Sequence, residues 1–202
     1  LPGNGGQKLV GAGGTLDGVT VNGDLDLGQS VNGGSLTVIN GLVLNGTAYV
    51  GNPTNQWFGG LSFVGSQTLS GTGTVVFGNS ADSRANALRL VNEGTTLTLG
   101  SGITVRGQNG TIGFAGGAFS PWGGPANVNV VNQGVISADV AGGTMVIHVP
   151  TITTSNLGRL QRASGTILLP GVIDNTGTNL VLDATTGSWV KPASITCSNC
   201  PS

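Results

Sequence analysis

Val91-Asn92-Glu93-Gly94-Thr95-Thr96-Leu97-Thr98-Leu99-Gly100 is the stretch whose reading decides the fold. It opens on a small-residue turn, enters a strand through Thr, and then alternates. Successive strand side chains point to opposite faces, so Leu97 and Leu99 are expected inside and Thr98 outside. The same words return at Asn175-Thr176-Gly177-Thr178-Asn179-Leu180-Val181-Leu182.

Weaker copies run along the chain. Gly-Thr or Gly-Ser followed by apolar alternation begins at Gly14, Gly34, Gly46, Gly73, Gly94, Gly110, Gly143, Gly165 and Gly177, and Asn-x-Gly stands at Asn92, Asn132 and Asn175. Asn132 follows Asn92 by 40 residues and Asn175 follows Asn132 by 43. Together the markers set a repeat of roughly 20 to 22 residues, within the range of solenoids. Short steps, such as Gly34 to Gly46, place two strands in one turn of a coil, and long steps carry insertions. Residues 34–50 show the pattern, with Asn40-Gly41 and Asn45-Gly46 separating three apolar runs. Asn-Gly makes a sharp corner at little conformational cost. It is also the signature of two-residue antiparallel hairpins, but hairpins do not account for the long recurrence. The fold expected is all-β, a single-stranded parallel β-helix of right hand. Residues 1–13 read as an N-terminal cap, 14–190 as the β-helix and 191–202 as a tail.

Composition agrees. Gly is 38 of 202 residues and charged residues are 7%, against roughly 25% charged in an average soluble domain. Disorder is excluded by the 38% hydrophobic content and a mean hydropathy of +0.21, because disordered chains are poor in apolar residues. A net charge of -1 leaves no electrostatic footprint for nucleic acid, and no apolar run reaches the length that spans a bilayer. Starting at Leu1 with Met145 as its only methionine, the chain reads as a processed product or a piece of something longer.

Two stretches break the rhythm: Gly51 to Gly60, with Trp57 and Phe58, and Gly113 to Asn127, with Phe119 and Trp122. Pro and Gly within them exclude regular pairing, so they are loops projecting from the coil. Exposed rings there would be the binding surface, with sugars the natural stacking partner. The alternative is that the loops fold back to cover a strand edge. Ser80 to Arg89 reads as a turn or a third insertion before Leu88.

Catalytic signatures are weak. Asp24-Leu25-Asp26 is the sole Asp-x-Asp; alternation turns both carboxylates outward as solvated residues, roughly 7 Å apart. No basic residue accompanies them as a lyase would require. His148, the only histidine, falls with Val146 on the outer side of a strand whose Met145, Ile147 and Val149 face inward, and Asp139 is its only acid nearby in sequence. No nucleophile elbow or phosphate loop is present. Cys197 and Cys200 form Cys-Ser-Asn-Cys, which with one histidine cannot complete a zinc tetrahedron and reads as a local tail disulfide or two idle thiols. No cofactor is expected. Outward Thr96, Thr98, Thr151, Thr153 and Thr154 raise ice binding as a rival, against which the markers place Val75, Val146 and Val181 in the slot of Thr98.

Val131-Asn132-Gln133-Gly134-Val135-Ile136-Ser137-Ala138, followed by Gly142-Gly143-Thr144-Met145-Val146-Ile147, resembles the repeats of bacterial surface and secreted β-helix proteins. Filamentous-haemagglutinin-like adhesins and autotransporter passenger regions are of this kind. The resemblance covers most of residues 14–190; the family's Asn-Pro-Asn-Gly-Ile secretion motif is missing. It implies a non-catalytic, extracellular or cell-surface rod that displays binding loops to a glycan or protein ligand, with end-to-end or edge self-association as its hazard. A polysaccharide-degrading β-helix and a purely structural spacer are the alternatives.

Overall fold

The computed structural model describes residues 8–117, 120–154 and 158–174, and all of its regular structure is strand. The chain opens with β1 (Lys8–Val10), β2 (Ala12–Val21) and β3 (Asp24–Leu27), then β4 (Gly34–Leu44) and β5 (Thr47–Val50). From there each circuit has three strands. They are β6 (Gly59–Phe63), β7 (Gln67–Ser70) and β8 (Thr74–Phe77); then β9 (Ala87–Leu90), β10 (Thr96–Leu99) and β11 (Thr104–Gly107). Next come β12 (Gly110–Gly113), β13 (Asn129–Asn132) and β14 (Val135–Ala138), and β15 (Thr144–His148), β16 (Thr151–Thr154) and β17 (Arg159–Arg162). β18 (Thr166–Leu168) and β19 (Val172–Asp174) close the described part.

Every pairing between these strands is parallel and joins one circuit to the next. One seven-stranded sheet runs β1-β3-β5-β8-β11-β14-β17. The second has twelve strands and bends at β4, whose first half pairs with β6 and whose second half pairs with β7. Its two ends, β18 and β19, follow each other directly in the chain, so this sheet is curled into two wings. Wing a carries β6, β9, β12, β15 and β18; wing b carries β7, β10, β13, β16 and β19. The architecture is all-β, parallel and curled, consistent with a β-helix or solenoid. Among the described residues the Asn-Gly words do not make hairpins, and the one antiparallel bridge, Ala115 to Gly123, lies inside an insertion.

Inside, like residues stack on like. Leu25, Ala48, Val75, Val105, Ile136 and Leu160 form one column of the seven-stranded sheet, and Leu36, Leu61, Leu88, Ile112 and Ile147 one of wing a. Leu97 and Leu99 are fully buried as expected, Leu97 between Gln67 and Val130 and Leu99 between Leu69 and Asn132. Each buried leucine contributes about 2 kcal/mol of transfer free energy, and the columns gain the dispersion contacts of close packing.

The step from one circuit to the next is 22 residues from Thr144 to Thr166 and 21 from Thr151 to Val172, but 35 from Gly110 to Met145. The repeat of roughly 20 to 22 residues is the bare circuit, lengthened, as expected, where an insertion enters. Asn92 and Asn132 are not equivalent, since Asn132 pairs with Leu99 and Asn92 follows β9 at a corner. The Gly-Thr words mark strand entries on more than one face; Thr47 and Thr74 do share a slot, which Thr104, preceded by Ile103, continues. The first paired strand starts at Lys8, within the segment read as a cap. The marker at Asn175 to Leu182, the 190/191 boundary and Cys197 and Cys200 lie outside the described residues.

Asn side chains hold the corners by reaching between circuits. Asn45 Nδ2 donates to Asn22 Oδ1 at 2.8 Å, and Asn45 Oδ1 accepts from the Thr72 amide. Asn86 has no exposed surface; its Nδ2 donates to the carbonyls of Gly78 and Asn109, and its Oδ1 accepts from the Gly59 amide. Gly51, at a φ of 84°, must be glycine because a Cβ there would collide with Asn86 Oδ1. At Asn40-Gly41, with φ of 57° and 85°, the chain bends without leaving β4, so the expected turn is a bend within one strand.

Candidate functional site

The corners are not used equally. Between wing b and the seven-stranded sheet the connections are short in every described circuit, such as 22–23, 45–46 and 133–134. Among the described residues all the long connections flank wing a: 51–58 and 78–86 enter it, and 114–128 leaves it. The outward positions of wing a suit a cover, being small at Gly60, Ser62, Ala87, Thr111 and Gly113. Ser62 and Thr111 are buried although they point away from the coil. The insertions therefore converge on one face.

The sequence-predicted aromatics meet there in part. Trp57 is 38% exposed. Phe58 and Trp122, far apart in sequence, stand edge to face with centroids 5.8 Å apart, a favoured aromatic geometry. Trp122 is not a free tip: its ring packs over Gly60, where a Cβ would come within 3.0 Å, and its Nε1 donates to the Ala85 carbonyl at 2.7 Å. The later loop thus folds back over the sheet, the alternative that the sequence left open, while the earlier loop presents Trp57 to solvent. Phe119 lies outside the described residues.

Arg89 lies beneath this cluster. Its Nε donates to Ser62 Oγ at 2.9 Å, its Nη1 to the Trp122 carbonyl at 3.0 Å, and its Cζ sits 5.8 Å from the Trp122 ring. Burial pulls its pKa below the ordinary value; no carboxylate pairs with it among the described residues.

His148 is corrected from an ordinary surface residue. It points outward from β15 as expected, but its ring packs edge to face against Phe114, 4.9 Å between centroids. It also lines a cavity of about 630 Å³ with Ala81–Arg84, Val146, Leu168 and Pro170. Burial, then the charge of Arg84, hold its pKa below the usual value, so the ring is neutral at pH 7. Asp139 is not its partner; it pairs with Arg106.

The Asp-x-Asp reading is also corrected. Asp24 Oδ1 accepts from the Thr47 amide at 2.9 Å. Asp26 is not solvated: only 1% exposed, it accepts from the amides of Gln29 and Ser30 and from the Ser30 hydroxyl. Burial pushes its pKa up, but the Ser30 hydroxyl, the two amides and the Lys8 charge outweigh that and hold it below the ordinary value. Asp26 keeps the outward register of Val10 and Tyr49, as the alternation requires, and is buried because the connection after β3 folds over it and bonds it through Gln29 and Ser30. Among the described residues no three His, Cys, Asp or Glu side chains gather to hold a metal ion.

The slot of Thr98 contains neither Val75 nor Val146. Its neighbours on wing b are Thr68, Val131, Thr153 and Asp174, and beside it runs the column Thr96, Asn129, Thr151 and Val172. Val75 faces the core of the other sheet.

Sequence reasoning found the three insertions but missed their convergence, and with it Arg84, Arg89 and the role of His148. The signal was indirect: outward Gly, Ser and Ala on one wing become informative only once the register is known. Comparison with known protein families, characterised proteins and solved structures finds no match.

Proposed function

We propose that the chain is a segment of a right-handed β-helix, of the kind found in bacterial surface and secreted proteins, that acts without catalysis by displaying loops for a glycan ligand outside the cell. The observation that carries this reading is the concentration of insertions on wing a, with Trp57 exposed beside the Phe58 and Trp122 pair and the Arg89 guanidinium. Rings offer apolar area at low entropy cost, and an Arg without a carboxylate partner offers spare donors to hydroxyl or acid groups. The burial of Asp26, held by Ser30 and the corner amides, leaves Asp24 without a solvent-facing carboxylate partner in this pair and speaks against the polysaccharide-degrading alternative. Glycan-array and cell-binding measurements test the proposal on Trp57→Ala, Phe58→Ala, and a variant with Trp57, Phe58, Phe119 and Trp122 all replaced by Ala. Binding that survives all three would remove the loop assignment.

Wing b supports a second reading. Thr68, Thr98, Val131 and Thr153 follow one another at strand spacing, about 4.8 Å, beside Thr96, Asn129 and Thr151, which is closer to an ice-binding array than the sequence markers allowed. Thermal hysteresis that disappears in Thr98→Tyr would favour it; a freezing curve without hysteresis would exclude it.

A further inference from the structure

The cavity beside His148 is built from one insertion, two strands and the short connection after the second of them. Ala81–Arg84 of the 78–86 connection form one wall, and Val146, His148 and Leu168 with Pro170 beyond them form the other. Its volume of about 630 Å³ falls within the roughly 300 to 1,000 Å³ of small-molecule sites. Val146, Leu168, Pro170 and Ala81 are apolar, Arg84, His148 and Ser83 carry donors, and the one acid of the lining, Asp82, is paired with Arg84.

Arg84 is fixed from one side only. Its Nε and Nη2 donate to the two oxygens of Asp82, at 3.0 and 2.9 Å, and the Arg84 amide also donates to Asp82 Oδ1. Both Asp82 oxygens are thereby engaged, and the guanidinium is held in one plane. Its Nη1 makes no hydrogen bond to a described residue, although it lies close to Gly117, where a Cβ would strike it. The His148 ring is held by Phe114 and also makes no hydrogen bond to a described residue. A neutral imidazole oriented in this way has one N–H to donate.

We propose that this cavity binds a small carboxylate with an apolar body, its oxygens taken by the free edge of Arg84 and by the His148 N–H, and its body lying on Val146, Leu168 and Pro170. A carboxylate is preferred over a neutral group because the guanidinium fork matches it geometrically. The positive charge of Arg84 also reaches the His148 ring, where it opposes protonation. An anion placed between them lowers that cost. This site is separate from the Trp57 and Phe58 loop and does not depend on the glycan reading.

The chain's single histidine makes the test direct. The Cε1–H resonance of His148 is followed by proton NMR over pH, alone and with benzoate, with benzyl alcohol as the neutral isostere. The expected result is saturable movement of the resonance with benzoate and an upward shift of the His148 titration. Benzyl alcohol should bind about tenfold more weakly or less, the loss of one charge-assisted pairing. Arg84→Gln should remove the preference for benzoate, and Leu168→Trp, on the outward side of β18, should block both probes. Arg84→Lys, which keeps the charge, separates loss of binding from loss of fold. An unmoved resonance overturns the proposal; so does equal binding of benzyl alcohol, or benzoate binding unchanged in Leu168→Trp.

Discussion

Trp122 is tied to Ala85: the indole N–H of one insertion donates 2.7 Å to a backbone carbonyl of another, 37 residues earlier. The bond spans two connections that never meet in the coil itself, so the cover over wing a is one connected structure. Trp122→Phe keeps the ring and removes the donor, and should cost about 1 kcal/mol. Trp122→Ala removes ring and bond, and should cost about 2 to 3 kcal/mol. Denaturant midpoints measure both, and amide exchange should quicken across 114–117 and 120–127 while Leu97 and Leu99 stay protected.

Asn86 should be the most sensitive polar position. Asn86→Ala takes this partner from the Gly59 amide and the Asn109 carbonyl at a buried corner, while the Gly78 carbonyl keeps the Asn109 amide. A loss of about 3 kcal/mol is expected, read as a drop in thermal midpoint. A change within about 0.5 kcal/mol, typical of surface substitutions, would mean that water serves the corner equally well.

Leu99 and Thr98 are neighbours with opposite fates. Leu99→Ala opens a cavity between Leu69 and Asn132 and should cost about 3 kcal/mol; Thr98→Val, on the outer side, should stay within about 0.5 kcal/mol. Equilibrium urea unfolding separates the two. Similar losses at both sites would contradict the inward and outward assignment of β10.

Acid should act in two stages. Burial, then Arg84, depress the His148 pKa in the folded chain. On acidification below the ordinary value of about 6.5 the unfolded chain therefore takes up a proton that the folded chain resists. Stability falls as pH drops through that window, down to the folded pKa, and His148→Gln should abolish this first decline. Asp82, through the Arg84 hydrogen bond, and Asp26, through Ser30 and the corner amides despite its burial, titrate below their ordinary range. Their contribution is complete above about pH 3.9 and is lost as pH falls through the folded values. Unfolding free energy measured across pH in the wild type and in His148→Gln distinguishes the stages.

The alternation at Leu97 and Leu99, or at Met145, Ile147 and Val149, was legible because a strand has only two sides. The insertions were legible because Pro and clustered Gly cannot continue a ladder. What one strand could not reveal was which strand lies beside it. The neighbours of Thr98 depend on insertions of unequal length elsewhere, so repeated words gave the wrong slot. Asp26 escaped because alternation gives its side but not the connection after β3 that folds over that side and bonds it. His148 and Arg84 escaped because their meeting requires the register of β12 with β15 and of β15 with β18, which no local pattern encodes.

β4 passes from wing a to wing b without a break, whereas every later described circuit is interrupted at that corner. An interruption is a splice point: chain can be added there, or removed, while the strands on either side keep their partners above and below. The cover over wing a is in this sense a replaceable part mounted on a fixed frame, and β4 marks a circuit where nothing has been mounted at that corner. Exchanging 114–128 for a foreign loop should change the surface over wing a and leave the frame standing.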